Sequence, residues 1–281
     1  MENMSRVGGS FVFLGILEME RYWIPYSIVF FGLYFIPTLL CCVIVYVIWV
    51  EESLHEPMYL FICNLLLNGV FANTVIFPQI IVLLLFGFST ISYPGCITQT
   101  LCVQTFSTVE NFTFTTMAYD QYLAVGNPLR YSSIMTNVKA LKFICVIWAL
   151  AFILVLIPVM LTTNLHFCGV SIINVFCENM SLVRLACGDS SVNNIFGLVE
   201  TLLVLVVTLL IILYCYISTL LICLKTSGSS SLKAIHTLAT HNITFGLYYR
   251  YELVVGTIGH PIGSKMVDNN GMGQRRSPAI S

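Results

Sequence analysis

The chain contains apolar runs that are too long for the core of a small soluble domain. Four of them carry no Asp, Glu, Lys, Arg or His: residues 24–50, 59–86, 143–165 and 201–224. The hydrocarbon core of a bilayer is about 30 Å thick, and an α-helix needs roughly 20 apolar residues to cross it. Strands of a membrane β-barrel alternate over only about ten residues, so these runs predict membrane-spanning helices.

A fifth run, residues 96–125, is interrupted only by the carboxylates of Glu110 and Asp120 and predicts another span with one polar face. With 58% hydrophobic and 9% charged residues in a chain of 281, there are too few polar side chains to cover a water-soluble globule. The sequence therefore predicts an all-α, polytopic bundle of membrane helices embedded in the lipid bilayer. The net charge of −1 and the lack of a Lys/Arg-rich run give no indication of a nucleic-acid partner.

Positive residues are distributed unevenly over the predicted loops. If the N-terminus lies outside, the outer loops between spans hold only Arg184, whereas the loops after spans three and five hold five Lys and Arg residues. Cytoplasmic loops carry the excess of positive charge, so we expect the N-terminus to be extracellular. The inner residues are Arg130, Lys139, Lys142, Lys225 and Lys233.

The chain has 11 cysteines, and most of them fall inside apolar spans, where a free Cys behaves as a small hydrophobe. Four fall on the predicted outer side: Cys96, Cys168, Cys177 and Cys187. An even number in an oxidising compartment predicts two disulfides, and spacing alone allows three pairings. A zinc site is not predicted.

The predicted third span carries a polar stripe. Its members recur at mostly three- and four-residue steps, which places them on one helix face. Hydrogen bonding to neighbouring helices is one interpretation, since Ser, Thr and Asn commonly serve that purpose in membrane bundles. The other is that the outer half, from Gln104 to Thr108, lines a ligand cavity. The stripe consists of Thr100, Gln104, Ser107, Thr108, Asn111 and Thr115.

Two further carboxylates stand out within the apolar runs. Glu110 lies deep in its span, where a carboxylate must face the bundle and find partners; we expect Asn68 as its neighbour in a polar core. Glu200 lies at the start of the fifth span, near the outer surface. It either reaches water along its aliphatic stem or meets a cationic ligand.

Four Asn-X-Ser/Thr sequons occur in the sequence. Asn3 lies on the outer N-terminal tail and is the predicted glycosylation site, with Asn179 in the outer loop as a second candidate. Asn111 falls within a span and Asn242 on the inner side, so neither should be modified.

Residues 117–131 read MAYDQYLAVGNPLRY, which resembles the MAYDRYxAxxxPLRY signature of odorant receptors, a family of rhodopsin-like G-protein-coupled receptors. Gln121 stands where that family carries Arg. Residues 54–59, LHEPMY, resemble its LHxPMY element, and residues 233–241 resemble its KAxxTCxxH element with Leu238 in place of Cys. The loop before the fifth span is similar to fish-type members. The resemblance extends over roughly residues 10–245.

This resemblance implies a seven-helix receptor of the plasma membrane that binds a small odorant in its outer half and has no catalytic residues, cofactor or metal. Ligand binding favours a state whose cytoplasmic ends open to a heterotrimeric G protein of the olfactory type. The implied disulfides are Cys96–Cys177 and Cys168–Cys187. The implied ligand contacts are Gln104, Ser107, Thr108, Asn111 and Glu200, and the implied coupling residues are Asp120, Gln121 and Tyr122.

Two other classes of membrane protein fit the sequence less well. An enzyme would need a nucleophile and a base on an inner or outer loop, and the loop sequences offer no such set. A transporter or channel would be expected to show broken helices, internal repeats or paired intramembrane charges, and the sequence shows neither repeats nor such pairs.

The family pattern breaks beyond Phe245. Arg250 and Glu252 interrupt the sixth apolar run, residues 256–281 are rich in Gly and polar groups, and the seventh-helix element PxxNPxIY is absent. We therefore expect five spans, a weak sixth, no seventh and a disordered tail. Such a copy would be a truncated receptor impaired in signalling, or a non-signalling fragment. The expected organisation is an extracellular tail (1–23), a transmembrane bundle (24–245), and a degenerate sixth-helix remainder with a polar tail (246–281).

Overall fold

The structure, a computed structural model, describes residues 9–225. These residues form helices joined by short connections, with 3₁₀ turns at Glu20–Tyr22 and Glu52–Leu54. In chain order the elements are β1 (Ser10–Phe13), α1 (Leu14–Met19), α2 (Trp23–Val50), α3 (Pro57–Phe86), β2 (Thr90–Ser92), α4 (Tyr93–Gly126), α5 (Tyr131–Ile134), α6 (Asn137–Thr163), β3 (Ser171–Ile172), α7 (Asn179–Val183) and α8 (Ser191–Lys225).

Four of the described helices, α2, α3, α6 and α8, are long and apolar enough to cross a membrane. Helix α4 has 34 residues and is long enough as well, but its polar stripe lowers its hydropathy. The predicted all-α, polytopic bundle is confirmed. The weak sixth span, the missing seventh and the tail beyond Phe245 all fall outside the described residues.

The outward faces of the long helices are apolar. Trp49 on α2 is 75% exposed and Ile28 on the same helix is 67% exposed. Soluble proteins rarely expose continuous apolar surface of this extent, whereas a helix facing lipid requires it. The exposed apolar side chains of α2 and α8 therefore mark the lipid-facing surface of the bundle.

Capping residues set the helix ends, which the apolar runs located only approximately. The side chain of Ser92 accepts a hydrogen bond from the Gly95 amide and starts α4. The side chain of Thr136 accepts one from the Lys139 amide, so α6 begins several residues before its apolar run. Gly87 ends α3 with φ of 67°, a left-handed conformation that Gly adopts without a steric penalty.

Helix α4 lies at the centre of the described bundle. It packs against α3, α6 and α8, while α2 packs on the far side of α3. In the middle of the bundle, Val109 is buried against Ile147 and Ala151 of α6. Toward the inner end, Phe61 of α3 is fully buried against Met117 of α4. The most polar helix is thus surrounded by apolar neighbours, which turns its stripe toward the protein interior.

A small three-stranded sheet covers the outer end, which the helix-only prediction did not include. Strand β1 lies in the middle, antiparallel to β2 with Ser10 opposite Ser92, and parallel to β3 with Val12 opposite Ser171. Phe13 of β1 is completely buried. The expected tail of residues 1–23 is therefore partly ordered structure, since residues 10–19 form a strand and a helix.

Candidate functional site

Two disulfides join the outer loop to itself and to α4. Cys96 near the start of α4 is bonded to Cys177, with a Cα–Cα distance of 5.4 Å. Cys168 is bonded to Cys187, with a Cα–Cα distance of 5.2 Å. Of the three pairings that spacing allows, the structure shows the one that the family resemblance implies.

A buried glutamine at the outer end of α4 was missed by the sequence analysis. Gln99 is 4% exposed, and its carboxamide oxygen accepts a hydrogen bond from the Cys177 amide at 2.8 Å. Its nitrogen donates to the side-chain oxygen of Gln79 at 2.8 Å and to the Val75 carbonyl at 3.3 Å, both on α3. The only sequence signal was a polar residue one turn after Cys96.

The α4 stripe contains polar atoms of two kinds. The Thr108 hydroxyl donates to the Gln104 carbonyl at 2.9 Å, and the Thr115 hydroxyl donates to the Asn111 carbonyl at 2.9 Å. These hydroxyls are satisfied within their own helix. By contrast, the Thr100 hydroxyl and the Gln104 side-chain oxygen are buried and have no hydrogen-bond partner among residues 9–225.

The remaining expected ligand residues lie on two helices. Ser107 is partly buried on α4, and Asn111 is 3% exposed one turn further in. Glu200 is partly buried on α8, which packs against α4. The structure thus places four of the five expected residues on one side of α4 and the fifth on a neighbouring helix.

Unpaired buried oxygens such as those of Thr100 and Gln104 cost free energy unless a donor reaches them. A ligand with a donor would satisfy either of these two atoms, whereas the hydroxyls of Thr108 and Thr115 already donate within α4. The outer half of α4 therefore forms a polar wall with two buried oxygens that have no partner among residues 9–225.

A hydrogen-bond network joins three helices below this wall. The side-chain nitrogen of Asn64 on α3 donates to the Thr113 hydroxyl at 2.9 Å, and the Trp148 indole on α6 donates to the Asn64 oxygen at 2.9 Å. The Asn68 amide donates to the Phe106 carbonyl at 3.0 Å, one turn before Glu110. The sequence analysis named Asn68 and Glu110 as the polar core but missed Asn64 and Trp148.

The inner end of α4 holds a buried carboxylate. Asp120 is 3% exposed, and the Tyr131 hydroxyl on α5 donates to both of its oxygens, at 2.9 and 3.2 Å. Burial and the Asp120 charge, with a smaller contribution from Glu56, raise the pKa of Tyr131 well above its usual value. The phenol therefore keeps its proton and acts as the donor.

The two residues after Asp120 have different surroundings. The side-chain oxygen of Gln121 is buried without a hydrogen-bond partner among the described residues. The Tyr122 ring contacts the Tyr214 ring of α8, with centroids 6.1 Å apart. Because Gln121 stands at the family's Arg position, Asp120 has no charged partner from that residue. Tyr131 supplies a neutral hydrogen-bond donor instead, and it is the last residue of the MAYDQYLAVGNPLRY signature.

The candidate glycosylation sites differ in accessibility. Asn179 begins α7 and is only 3% exposed, so the folded outer loop leaves no room for a glycan there. This finding removes the second candidate. Asn3 falls outside the described residues and remains a prediction.

Four described helices are long enough to cross a membrane, and a disulfide anchors the outer loop to one end of the bundle beside the polar wall. A buried Asp–Tyr pair lies at the opposite end. These features fit a polytopic helical receptor. Residues 30–269 match the model of the olfactory receptor family. The chain belongs to this family of rhodopsin-like G-protein-coupled receptors, whose members bind small molecules and couple to G proteins and are not enzymes.

Several relatives support the assignment. Olfactory receptor 10A6 of Homo sapiens is 32% identical over 241 residues, which cover 85% of this chain and 77% of the relative. Olfactory receptor 6E1 of Mus musculus is 31% identical, with the same coverage of 85% and 77%. Olfactory receptor 52H1 of Homo sapiens is 28% identical over 260 residues, which cover 90% of this chain and 82% of the relative.

Proposed function

We propose that this odorant receptor binds its ligand against the outer half of α4, with contacts from Gln104, Ser107, Thr108 and Asn111 and from Glu200 on α8. The observation that carries the proposal is the buried, unsatisfied oxygen of Gln104, one turn below the equally unsatisfied hydroxyl of Thr100. A ligand that donates a hydrogen bond would satisfy either atom. The disulfide-anchored loop would close the site from outside.

The proposed orientation places the N-terminus outside the cell and the receptor in the plasma membrane. The two disulfides require an oxidising compartment and lie at the end of the bundle that carries the sheet. Arg130 lies in the turn between α4 and α5, and Lys139 and Lys225 lie in the end turns of α6 and α8, at the opposite end of the bundle. This distribution supports a cytoplasmic location for the inner ends.

Coupling is proposed to involve Asp120, Gln121 and Tyr122 and a heterotrimeric G protein of the olfactory type. The ligand would favour the state in which the inner ends of the helices separate. Gln121 should weaken this step, because a neutral amide cannot replace the charged, planar, multi-donor head of Arg.

Binding is tested most simply without relying on signalling. The full chain in detergent micelles should show a higher apparent Tm in the presence of small odorants that carry a hydroxyl or amino group, because a ligand that binds the folded state stabilises it. Hydrocarbons of equal size, which cannot donate to Gln104, serve as the matched control. Equal shifts for both sets would contradict the proposed role of the polar wall.

A further inference from the structure

Gln99 joins three separate parts of the molecule. Its carboxamide lies between α3, where Gln79 and Val75 accept its hydrogens, and the outer loop, where the Cys177 amide donates to it. A backbone N–H can only donate, so the Gln99 oxygen must face the loop and its nitrogen must face α3. Both hydrogens of the nitrogen have acceptors, and the group has one defined orientation.

The loop segment around Cys177, residues 174–183, is held together by its own hydrogen bonds. The Glu178 carboxylate accepts hydrogen bonds from Asn174 at 2.6 Å and from Ser181 at 2.9 Å. Leu182 is fully buried, and Val183 is 1% exposed. The segment is thus tied to itself and packs against the outer cluster through Leu182, and its attachment at Cys177 is one of the contacts that set its orientation.

The Cys96–Cys177 disulfide alone leaves part of that orientation open. It fixes a sulfur atom, while rotation about the side-chain bonds of both cysteines still allows the Cys177 backbone to turn. The hydrogen bond from Gln99 holds the backbone amide itself, at 2.8 Å. The two attachments at Cys177 thus fix the loop both through a side chain and through the backbone, in addition to the pairing of β3 with β1 and the burial of Leu182.

We propose that Gln99 is a positioning residue that clamps the outer loop in one orientation over the ligand wall of α4 and links that orientation to α3 through Gln79. The ligand-facing consequence rests on the proposed function of the wall, whereas the clamp does not. Replacing Gln99 should therefore loosen the loop even in the absence of any odorant.

Hydrogen–deuterium exchange of the full chain in detergent micelles tests the clamp directly. In Gln99→Met, which keeps the length of the side chain but has no acceptor, the Cys177 amide should exchange roughly tenfold faster, the effect expected for one lost buried hydrogen bond. Gln99→Glu keeps an acceptor for the Cys177 amide but loses both donor bonds to α3, so exchange should rise only about threefold, less than in Gln99→Met. The same Met substitution at Gln104, whose side-chain oxygen has no partner among residues 9–225, is the control for the exchange measurement alone, and exchange at Cys177 should stay at the wild-type rate in it.

Unchanged exchange at Cys177 in Gln99→Met would overturn the proposal, and so would equally fast exchange in Gln99→Glu and Gln99→Met. If Gln99→Met does not fold, Gln79→Leu takes its place. It leaves Gln99 intact but removes one acceptor that orients it, and exchange at Cys177 should rise about threefold. No rise would then refute the clamp.

Repeating the odorant stabilisation measurement on the Gln99 and Gln79 variants separates the clamp from the ligand wall. Faster exchange together with an altered set of stabilising odorants supports both the clamp and the ligand wall. Faster exchange with no odorant effect in any variant supports the clamp and counts against the proposed ligand site.

Discussion

Single residues at the inner end of α4 show how a buried charge is accommodated when its usual partner is replaced. The Asp120 carboxylate receives hydrogen bonds to both oxygens from one phenol, Tyr131. Gln121, which stands at the family's Arg position, leaves a buried oxygen unsatisfied among the described residues. The Asp–Tyr contact therefore takes over part of the stabilisation that an ion pair would provide.

Removing the Tyr131 hydroxyl should destabilise the folded chain. Tyr131→Phe leaves the buried Asp120 carboxylate without this donor, which should lower the free energy of unfolding by about 1–3 kcal/mol. Thermal unfolding in micelles measures the loss, with Tyr119→Phe as the control, because Tyr119 is 39% exposed. Equal stability of the two variants would show that the contact contributes nothing.

Restoring the charged group should improve coupling. In a chimera that joins residues 1–225 to the complete remaining helices of a relative, Gln121→Arg should raise odorant-driven cyclic AMP, since Arg offers a charge and several donors beside Asp120. Surface expression must be matched between the two forms. An unchanged response at equal expression would mean that Gln is tolerated at this position.

At the level of elements, the apolar runs predicted the long helices well, because membrane insertion depends on length and hydrophobicity. Their ends were less predictable, since they depend on caps such as Ser92 and Thr136. The outer sheet was missed because strands of two to four residues leave too short an alternation to detect.

The polar contacts, like the helices, were only partly predictable from the sequence. The stripe on α4 follows from local spacing and was found from the sequence. Partners far apart in the chain were not, because local spacing carries no information about them. Gln99 and Cys177 are separated by 78 positions, and Trp148 and Asn64 by 84.

The N-terminal strand should contribute to stability beyond its length. Phe13 is fully buried in the outer cluster, and Phe→Ala at such a site costs about 3–5 kcal/mol. Phe13→Ala should therefore lower the apparent Tm of the full chain markedly. Phe88→Ala, at a side chain that is 61% exposed, should change it little; a comparable loss in both would argue against a structural role for β1.

For the whole molecule, the proposed orientation and the burial of Asn179 together predict a single pattern of glycosylation. Asn3 should carry a glycan, because its tail is expected outside, whereas Asn179 is 3% exposed. Glycosidase-sensitive gel shifts should disappear in Asn3→Gln and persist in Asn179→Gln. A shift that depends on Asn179 would contradict the closed outer loop, and a chain without any glycan would count against an outside N-terminus.

We propose that one face of α4 divides the receptor into a ligand-binding outer half and a packed inner half. Gln104 presents an unsatisfied oxygen in the outer half, while the Thr115 hydroxyl further in is bonded to the Asn111 carbonyl. Both residues belong to the same stripe, so a matched pair of polar-to-apolar changes separates binding from packing.

The most direct measurement compares the odorant stabilisation profiles of Gln104→Leu and Thr115→Val across one panel, at equal folded yield. We expect Gln104→Leu to change which odorants raise the apparent Tm and to weaken the binding of odorants with a donor group by about tenfold, as for one lost buried hydrogen bond. Thr115→Val should keep the wild-type profile. A wild-type profile in Gln104→Leu, or a changed one only in Thr115→Val, would contradict the placement of the ligand.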